Sequence, residues 1–139
     1  MTKFLTTVYA RYQAFTPFSD AEAWLLFKLA AFAEATGWTL LITGIVLHDY
    51  LWVGNQYSIP IAGRIHGTLF LLYIAAVLVL APSLRWRFWQ TLLAGACSVP
   101  PYGSLLYELF TASQRKATDR KNLTWTLRYH QLSTRLFTE

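Results

Sequence analysis

The sequence predicts an all-α membrane protein with three transmembrane helices and a short interfacial helix at each end. The first observation is composition, because 55% of the 139 residues are hydrophobic and 14% are charged, against about 25% charged in a typical soluble domain. A soluble chain of this size has too high a surface-to-volume ratio to bury so much apolar side chain. The second observation is that three apolar stretches reach the roughly 20 residues needed to cross a bilayer. Together these observations exclude a soluble enzyme domain and a disordered chain.

The first element, residues 1–23, is expected to form an amphipathic helix at the membrane interface. Its apolar residues recur at the spacings of one helix face, and Pro17 ends the pattern. Those apolar residues are Phe4, Leu5, Val8, Tyr12 and Phe15. Ser19 is a favourable N-cap for the helix that follows, with Asp20 and Glu22 in its first turn. We expect no secretory signal peptide, since no continuous apolar run with a cleavage site is visible here.

Three spans follow, joined by connectors short enough to make successive spans antiparallel neighbours in a single domain. The expected spans are about residues 24–47, 59–81 and 86–110. The third contains Pro100 and Pro101, so an alternative is a re-entrant segment that turns at Pro100–Gly103. That alternative would place all the basic groups on one face of the membrane.

Aromatic residues predict a belt at each membrane interface. One belt would hold Trp24, Trp86 and Trp89, and the other Tyr50, Trp52, Tyr57, Tyr107 and Phe110. With three full spans, the basic residues divide almost equally between the two faces. The positive-inside rule therefore leaves the orientation open.

Residues 111–139 form a basic tail, which we expect to be a second surface helix. Its apolar positions repeat at helical spacing, namely Leu123, Leu127, His130 or Gln131, and Leu132. Its basic residues are Arg115, Lys116, Arg120, Lys121, Arg128 and Arg135. Such a cluster near a bilayer favours anionic lipids. Nucleic acid is the less favoured partner, because a membrane surface is always at hand.

Ionisable residues inside membrane spans are costly and mark the expected functional site. The candidate polar site consists of Glu34, His66, Tyr102, Arg64 and Glu108. At about 1.5 Å of rise per residue, Glu34 and His66 differ by roughly 10 Å in depth, too far for a direct hydrogen bond without a helix offset or a bridging water. Arg64 and Glu108 lie near one interface, where we expect them to pair. His66 is either a packing histidine or a ligand, and Glu34 is a neutral structural acid, a proton or cation site, or an enzyme base.

Small residues and prolines predict close helix contacts and a kink. Gly63 and Gly67 have the GxxxG spacing, and Gly37 belongs to a looser stripe of small residues on the first span. The break in the third span is either a packing kink or an unwound point whose carbonyls face a ligand. Ser98, Ser104 and Tyr102 are expected to satisfy the freed carbonyls. The residues assigned to packing or kinking are Gly37, Gly63, Gly67, Pro100, Pro101 and Gly103.

The sequence leaves the cofactor unassigned. Cys97 is the single cysteine, which excludes an intramolecular disulfide and a multi-cysteine zinc site. His48 and His66 are poorly placed for one haem, since His48 sits at the interface and His66 lies deeper. No nucleophile–base pair or phosphate loop is visible, so catalysis is the least favoured class of function.

Three blocks of sequence resemble those of a known family. Residues 27–38, which contain Glu34, are similar to an R-x-x-A-x-x-E-G opening, although Ala35 stands where the glycine is common. Residues 58–70, which contain His66, are similar to a G-x-x-H-G-x-L-F span, and residues 98–104 to an S-x-x-P-x-G-T stretch. The blocks occur in order in the small bacterial YdzA-like membrane proteins, grouped as domain of unknown function 3817. The resemblance covers about residues 26–110 and implies a three-helix membrane domain with no established reaction; it does not include the basic tail.

These observations predict a multi-pass protein of the cell membrane, with three classes of function. The first is an oligomeric permeation or ligand-binding component that uses the intramembrane polar site. The second is a non-catalytic accessory or scaffold subunit, either a homo-oligomer or a partner of a larger membrane protein. The third is an intramembrane enzyme.

Overall fold

The computed structural model describes residues 2–50 and 58–136, and at positions 2, 3, 5, 50, 125 and 127–136 only their backbone. Five α-helices are present in these residues. They are α1 (Thr2–Ala14), α2 (Asp20–Ile45), α3 (Ser58–Leu80), α4 (Phe88–Ala96) and α5 (Gly103–Leu136), and a π-helical turn at Val46–Tyr50 continues α2. The described residues form no strand. The all-α class predicted from the sequence is confirmed.

The start of α2 is fixed by a complete capping box. The Ser19 hydroxyl accepts a hydrogen bond from the backbone N–H of Glu22, and the Glu22 carboxylate accepts one from the backbone N–H of Ser19 at 2.9 Å. These bonds satisfy donors that the first turn of a helix leaves unpaired. The predicted N-cap is confirmed.

Two described helices have the length and apolarity to cross a membrane. They are residues 20–49, with a mean hydropathy of 1.5, and Ser58–Leu80, with 1.8. Gly44 lies against Ser58 and Ala62 at the start of α3, while Phe27 and Tyr73 lie near the opposite end, with ring centroids 6.1 Å apart. The two helices are therefore antiparallel.

The prediction that residues 86–110 form a single transmembrane helix is wrong. α4 ends at Ala96, residues 97–102 form turns, and α5 begins at Gly103. Pro100 and Pro101 have no N–H to donate to a helix. Tyr102 adopts a φ of 62°, in the left-handed region that a right-handed helix cannot include. Two helices that are both long and apolar enough to cross a membrane, not three, are therefore present in the described residues.

Helix α4 and the first turns of α5 instead form an antiparallel hairpin. The Tyr107 hydroxyl donates a hydrogen bond to the carbonyl of Gln90, in the first turn of α4, at 3.0 Å. At the tip, the Gly103 N–H donates to the Pro100 carbonyl at 3.0 Å. The chain thus turns back beside the helix that led into the turn, as in the re-entrant alternative.

The predicted aromatic belts are also corrected by this hairpin. Tyr107 was expected at the interface opposite Trp86, but the two rings meet edge to face with centroids 5.7 Å apart. The reason is that α5 returns to the end at which α4 began. Trp52 and Tyr57 lie outside the described residues, as does the side chain of Tyr50.

Phe27 is the centre of the aromatic core. It is fully buried, and its ring centroid lies 4.9 Å from that of Trp86 and 6.3 Å from that of Tyr107, both edge to face. Such pairs each contribute about 0.5–1.5 kcal/mol beyond the area that they bury. Phe27 therefore joins α2, α3, the segment before α4 and the start of α5.

The chain divides into two compact units, Met1–Glu108 and Leu109–Glu139. The first contains α1 to α4 and the opening turns of α5. The second contains the rest of α5, whose described side chains are mostly exposed and include Arg120 and Lys121. The side chains of Leu127, His130, Gln131 and Leu132, expected on one face of the tail helix, lie outside the described part of the chain.

Candidate functional site

Glu34 lies in the middle of α2 and is completely buried. The hydroxyl of Ser104 donates a hydrogen bond to its Oε2 atom and also lies 3.4 Å from the Ala31 carbonyl. Oε1 of Glu34 is buried and has no hydrogen-bond partner in the structure as described. Ser104 is the second residue of α5, so the carboxyl group faces a helix N-terminus, which carries partial positive charge. Glu34 therefore has one anchored oxygen and one unsatisfied oxygen.

His66 packs against α2 at a glycine. A Cβ atom on Gly37 would lie 3.1 Å from His66 Nδ1 and 3.2 Å from its Cα. The imidazole also lies against the indole of Trp38, with ring centroids 4.4 Å apart and planes inclined at 50°. Nδ1 is buried without a hydrogen-bond partner among the described residues. Gly37 is thus a packing position because any side chain there would push His66 away.

The separation in depth between Glu34 and His66 is smaller than the sequence count indicated. His66 is level with Gly37, three residues beyond Glu34, which is about 4.5 Å of helix rise. The estimate of roughly 10 Å was wrong because it counted from the ends of the spans, whereas the contact at Gly37 sets the register. No described hydrogen bond joins the two side chains. The result is two buried, unsatisfied polar atoms about one helical turn apart.

The tip of the α4–α5 hairpin lies at the level of His66. The Trp38 indole N–H donates a hydrogen bond to the Ser98 carbonyl at 3.3 Å, and the hydroxyls of Thr39 and Tyr102 are 3.2 Å apart. Tyr102 is therefore near the candidate site, and its hydroxyl contacts α2. Trp38 links the imidazole to the backbone of the tip, a role that the sequence did not reveal.

The residues at the tip of the α4–α5 hairpin are tightly packed. A Cβ atom on Gly103 would clash with the Cys97 carbonyl and lie 2.8 Å from Pro100 Cγ. The Ser98 hydroxyl donates to the Gly95 carbonyl at 2.6 Å, which satisfies one carbonyl at the end of α4. Pro101, the neighbour of Pro100, is exposed. As expected, the Ser98 hydroxyl satisfies a backbone carbonyl that the end of α4 leaves free. The Ser104 hydroxyl instead bonds mainly to the side chain of Glu34.

The prediction that Arg64 pairs with Glu108 is wrong. Glu108 Oε1 lies 3.7 Å from Lys28 Nζ, near the start of α2. Lys28 is nine residues before Gly37, or about 13 Å along the helix, whereas Arg64 is two residues from His66 and exposed. The hairpin carries Glu108 away from Arg64, so Glu108 lies outside the polar site.

Beside the GxxxG residues of α3, the described part of the chain leaves open space. A Cβ atom on Gly63 or Gly67 would meet no described atom within 4 Å. The expected close helix contact is thus absent inside the described structure, and this face of α3 points outward. Contact between molecules stays a prediction for this face.

No group of three or more His, Cys, Asp or Glu side chains that could hold a metal ion occurs among residues 2–50 and 58–136, as far as their side chains are described. Near the end of the π-helical turn, His48 Nδ1 lies 2.6 Å from Asp49 Oδ1. The chemistry that the site offers is therefore that of one buried carboxyl group, an imidazole about one helical turn further along α2, and the hydroxyls of Ser104, Tyr102 and Thr39.

The described residues define a helical protein with two helices long and apolar enough to cross a membrane and a broken third segment that folds back to a buried acid. The chain belongs to the family described as Domain of unknown function (DUF3817), whose sequence profile matches residues 24–112. The match covers α2 to α4 and the start of α5, in agreement with the resemblance in the three sequence blocks.

One relative is a proposed membrane protein of Streptomyces coelicolor. It is 29% identical over 85 residues, which is 60% of this chain and 10% of that protein. The chain therefore matches about a tenth of the length of this curated relative. No solved structure matches the chain.

Proposed function

We propose that the chain is a multi-pass protein of the cell membrane in which α2 and α3 cross the bilayer. Only 28% and 17% of their most apolar windows are buried inside the chain. Outward-facing apolar surface of this extent suits lipid, and it is unlike the core helix of a soluble protein. The proposed membrane location of the Streptomyces relative agrees with this assignment.

The α4–α5 hairpin enters the membrane and returns to the same face. The ion pair of Glu108 with Lys28 supports this path, because Lys28 lies near the beginning of α2. Arg85 and Arg87 then share a face with Lys28, whereas Arg64 lies towards the other. By the positive-inside rule, the shared face is the cytoplasmic one.

We further propose that the first unit is a small permeation or ligand-binding component whose central group is Glu34. The observation that carries this proposal is the Oε1 atom of Glu34, which is buried without a partner. Carboxyl groups at such depth are rare in spans and mark ion pathways and proton relays. Broken helices whose ends meet at membrane depth are typical of transporter binding sites. A proton or a small monovalent cation is the species that one carboxyl oxygen can bind.

Flux measurements test this proposal. The full chain is reconstituted in liposomes that contain a pH-sensitive dye, and a potassium gradient with valinomycin drives proton entry; sodium and potassium flux are measured in parallel. We expect flux by the wild type and its loss in Glu34→Gln. Glu108→Gln is the matched control, since it neutralises a buried acid outside the site. Absence of wild-type flux for protons and both cations, or full flux in Glu34→Gln, would contradict the proposal.

An accessory subunit is the second candidate, favoured by the outward face at Gly63 and Gly67. Small residues on such a face let another helix approach closely in a bilayer. The Streptomyces relative is about ten times longer than its matched segment, so the same region occurs there as part of a larger protein. Crosslinking in native membranes tests this candidate: Gly63→Leu and Gly67→Leu should abolish a crosslinked complex that Leu72→Phe, on another exposed face of α3, leaves intact.

A further inference from the structure

A groove of about 790 Å³ lies between α1, α3 and α4 in the first unit. Its volume falls within the roughly 300–1,000 Å³ of small-molecule sites. The surface is almost entirely apolar, and its main lining residues are Val8, Ile74, Val77, Leu78, Phe88 and Leu92. None of the residues of the polar site at Glu34 lines it. The groove is therefore a separate feature of the molecule.

Hydrogen bonds from α1 hold its outer wall in place. The Tyr12 hydroxyl donates to the Leu78 carbonyl at 2.6 Å. The Gln13 amide donates to the Trp86 carbonyl at 3.1 Å and to the Tyr9 hydroxyl at 3.0 Å. The wall is thus fastened to the end of α3 and to the segment before α4, which makes the groove a built feature rather than a bare lipid-facing surface.

The groove follows α4 from its first residue to its last. Phe88 and Ala96 both line it, and eight steps of helix rise separate them, or about 12 Å. Gly95 forms part of the floor, where a Cβ atom would lie 3.7 Å from Ile74 Cδ1. An apolar channel of this length, running inward from the membrane face, suits a flexible hydrocarbon chain.

Three exposed arginines are close in sequence to residues at the outer end of the groove. Arg87 directly precedes Phe88, Arg85 lies two residues earlier, and Arg11 adjoins Tyr12. Neither the ion pair of Lys28 with Glu108 nor that of His48 with Asp49 uses these arginines. Guanidinium groups bind phosphate oxygens in a bidentate manner. The outer end is therefore complementary to a phosphate that carries negative charge.

We propose that this groove binds one acyl chain of an anionic phospholipid, with the phosphate among Arg11, Arg85 and Arg87. The apolar walls account for the hydrocarbon chain, and the arginines account for the charge of the headgroup. The acyl chain of a zwitterionic lipid would pack against the apolar walls equally well, but the arginines would bind its headgroup less strongly. The site goes beyond the function proposed for Glu34 and does not depend on it.

Native mass spectrometry of the full chain tests the proposal. The protein is purified in micelles with equal amounts of dioleoyl phosphatidylglycerol and dioleoyl phosphatidylcholine. We expect the wild type to retain phosphatidylglycerol in preference to phosphatidylcholine. Arg85→Gln and Arg87→Gln should each lower this preference about fivefold, the value that corresponds to about 1 kcal/mol per basic residue. Arg64→Gln is the matched control, because it removes a charge from the other end of α3.

A second pair of variants tests the apolar part of the groove. Leu92→Trp places an indole inside it and should reduce the retention of both lipids, whereas Leu71→Trp adds the same group to exposed surface elsewhere and should not. If Leu92→Trp lacks the helical circular dichroism of the wild type, Gly95→Leu replaces it. Equal retention of the two lipids by the wild type, or unchanged retention in a folded groove variant, would overturn the proposal.

Discussion

The hydroxyl of Ser104, at the start of α5, donates a hydrogen bond to the buried carboxylate of Glu34 in the middle of α2. This bond ties the returning arm of the hairpin to the first spanning helix. Ser104 is the second residue of α5, so the side chain of Glu34 is held at a helix N-terminus. The same arrangement leaves Oε1 of Glu34 unsatisfied. One interaction thus serves both the fold of the hairpin and the chemistry of the site.

Replacing Ser104 with alanine should destabilise the first unit. Ser104→Ala leaves both oxygens of Glu34 without a side-chain donor, and an unsatisfied buried group costs about 1–3 kcal/mol. Chemical denaturation in micelles measures the change in the free energy of unfolding. Ser113→Ala is the control, since it removes an exposed hydroxyl that bonds the Phe110 carbonyl at 2.7 Å. Equal stability of the two variants would contradict the assigned role of Ser104.

Local features of the fold could be predicted from the sequence, while the direction of the third segment could not. The N-cap at Ser19 depends on residues three positions apart, and spans follow from local apolarity. Pro100 and Pro101 break a helix in either topology, so they do not distinguish a kink from a reversal. That choice depends on long-range contacts such as the one between Tyr107 and Gln90.

For the candidate site, the sequence predicted which residues are involved but not how they are arranged. Glu34 and His66 stand out as ionisable residues in apolar stretches, and the structure brings them within about one turn in depth. Their register depends on the close approach at Gly37, which span lengths do not reveal. The partner of Glu108 depends on the direction of the hairpin, and the sequence therefore pointed to Arg64 instead of Lys28.

Gly37→Ala and Gly67→Ala should change the stability of the protein in opposite directions. A Cβ atom at Gly37 would meet His66 at 3.1 Å, whereas one at Gly67 would meet nothing within 4 Å. Gly67→Ala should stabilise the protein by up to about 1 kcal/mol through helix propensity. Gly37→Ala should instead destabilise it by about 1–3 kcal/mol, the usual cost of overpacking. Denaturation curves of the two variants give the comparison, and a gain at Gly37 would show that α2 and α3 are less tightly packed.

Side-specific labelling should separate the hairpin from a third span. In a Cys97→Ser background, Arg85→Cys, Ser113→Cys and Asp49→Cys are labelled in sealed vesicles with a membrane-impermeant maleimide. The proposed hairpin predicts labelling of positions 85 and 113 from one side and of position 49 from the other. Labelling of position 113 together with position 49, and not with position 85, would instead indicate three full spans.

The attachment of α1 should depend on Tyr12 and weaken at high pH. Burial raises the pKa of Tyr12 above its ordinary value of 10.0, and neighbouring Tyr9 adds to the shift. The neutral phenol is the donor to the Leu78 carbonyl, so its contribution is complete below about pH 10 and is lost as the pH rises through the raised pKa.

Tryptic cleavage at Arg11, quenched after short exposure at each pH, measures this attachment. Tyr12→Phe should already cleave faster at pH 8, in line with the loss of a hydrogen bond worth about 0.5–1.5 kcal/mol. Above the raised pKa the wild type also lacks the donor, so the variant and the wild type should be cleaved at the same rate. Tyr102→Phe removes a hydroxyl at the hairpin tip and should follow the wild type throughout. A wild type whose advantage over Tyr12→Phe persists at the highest pH would show that the phenol does not fasten α1.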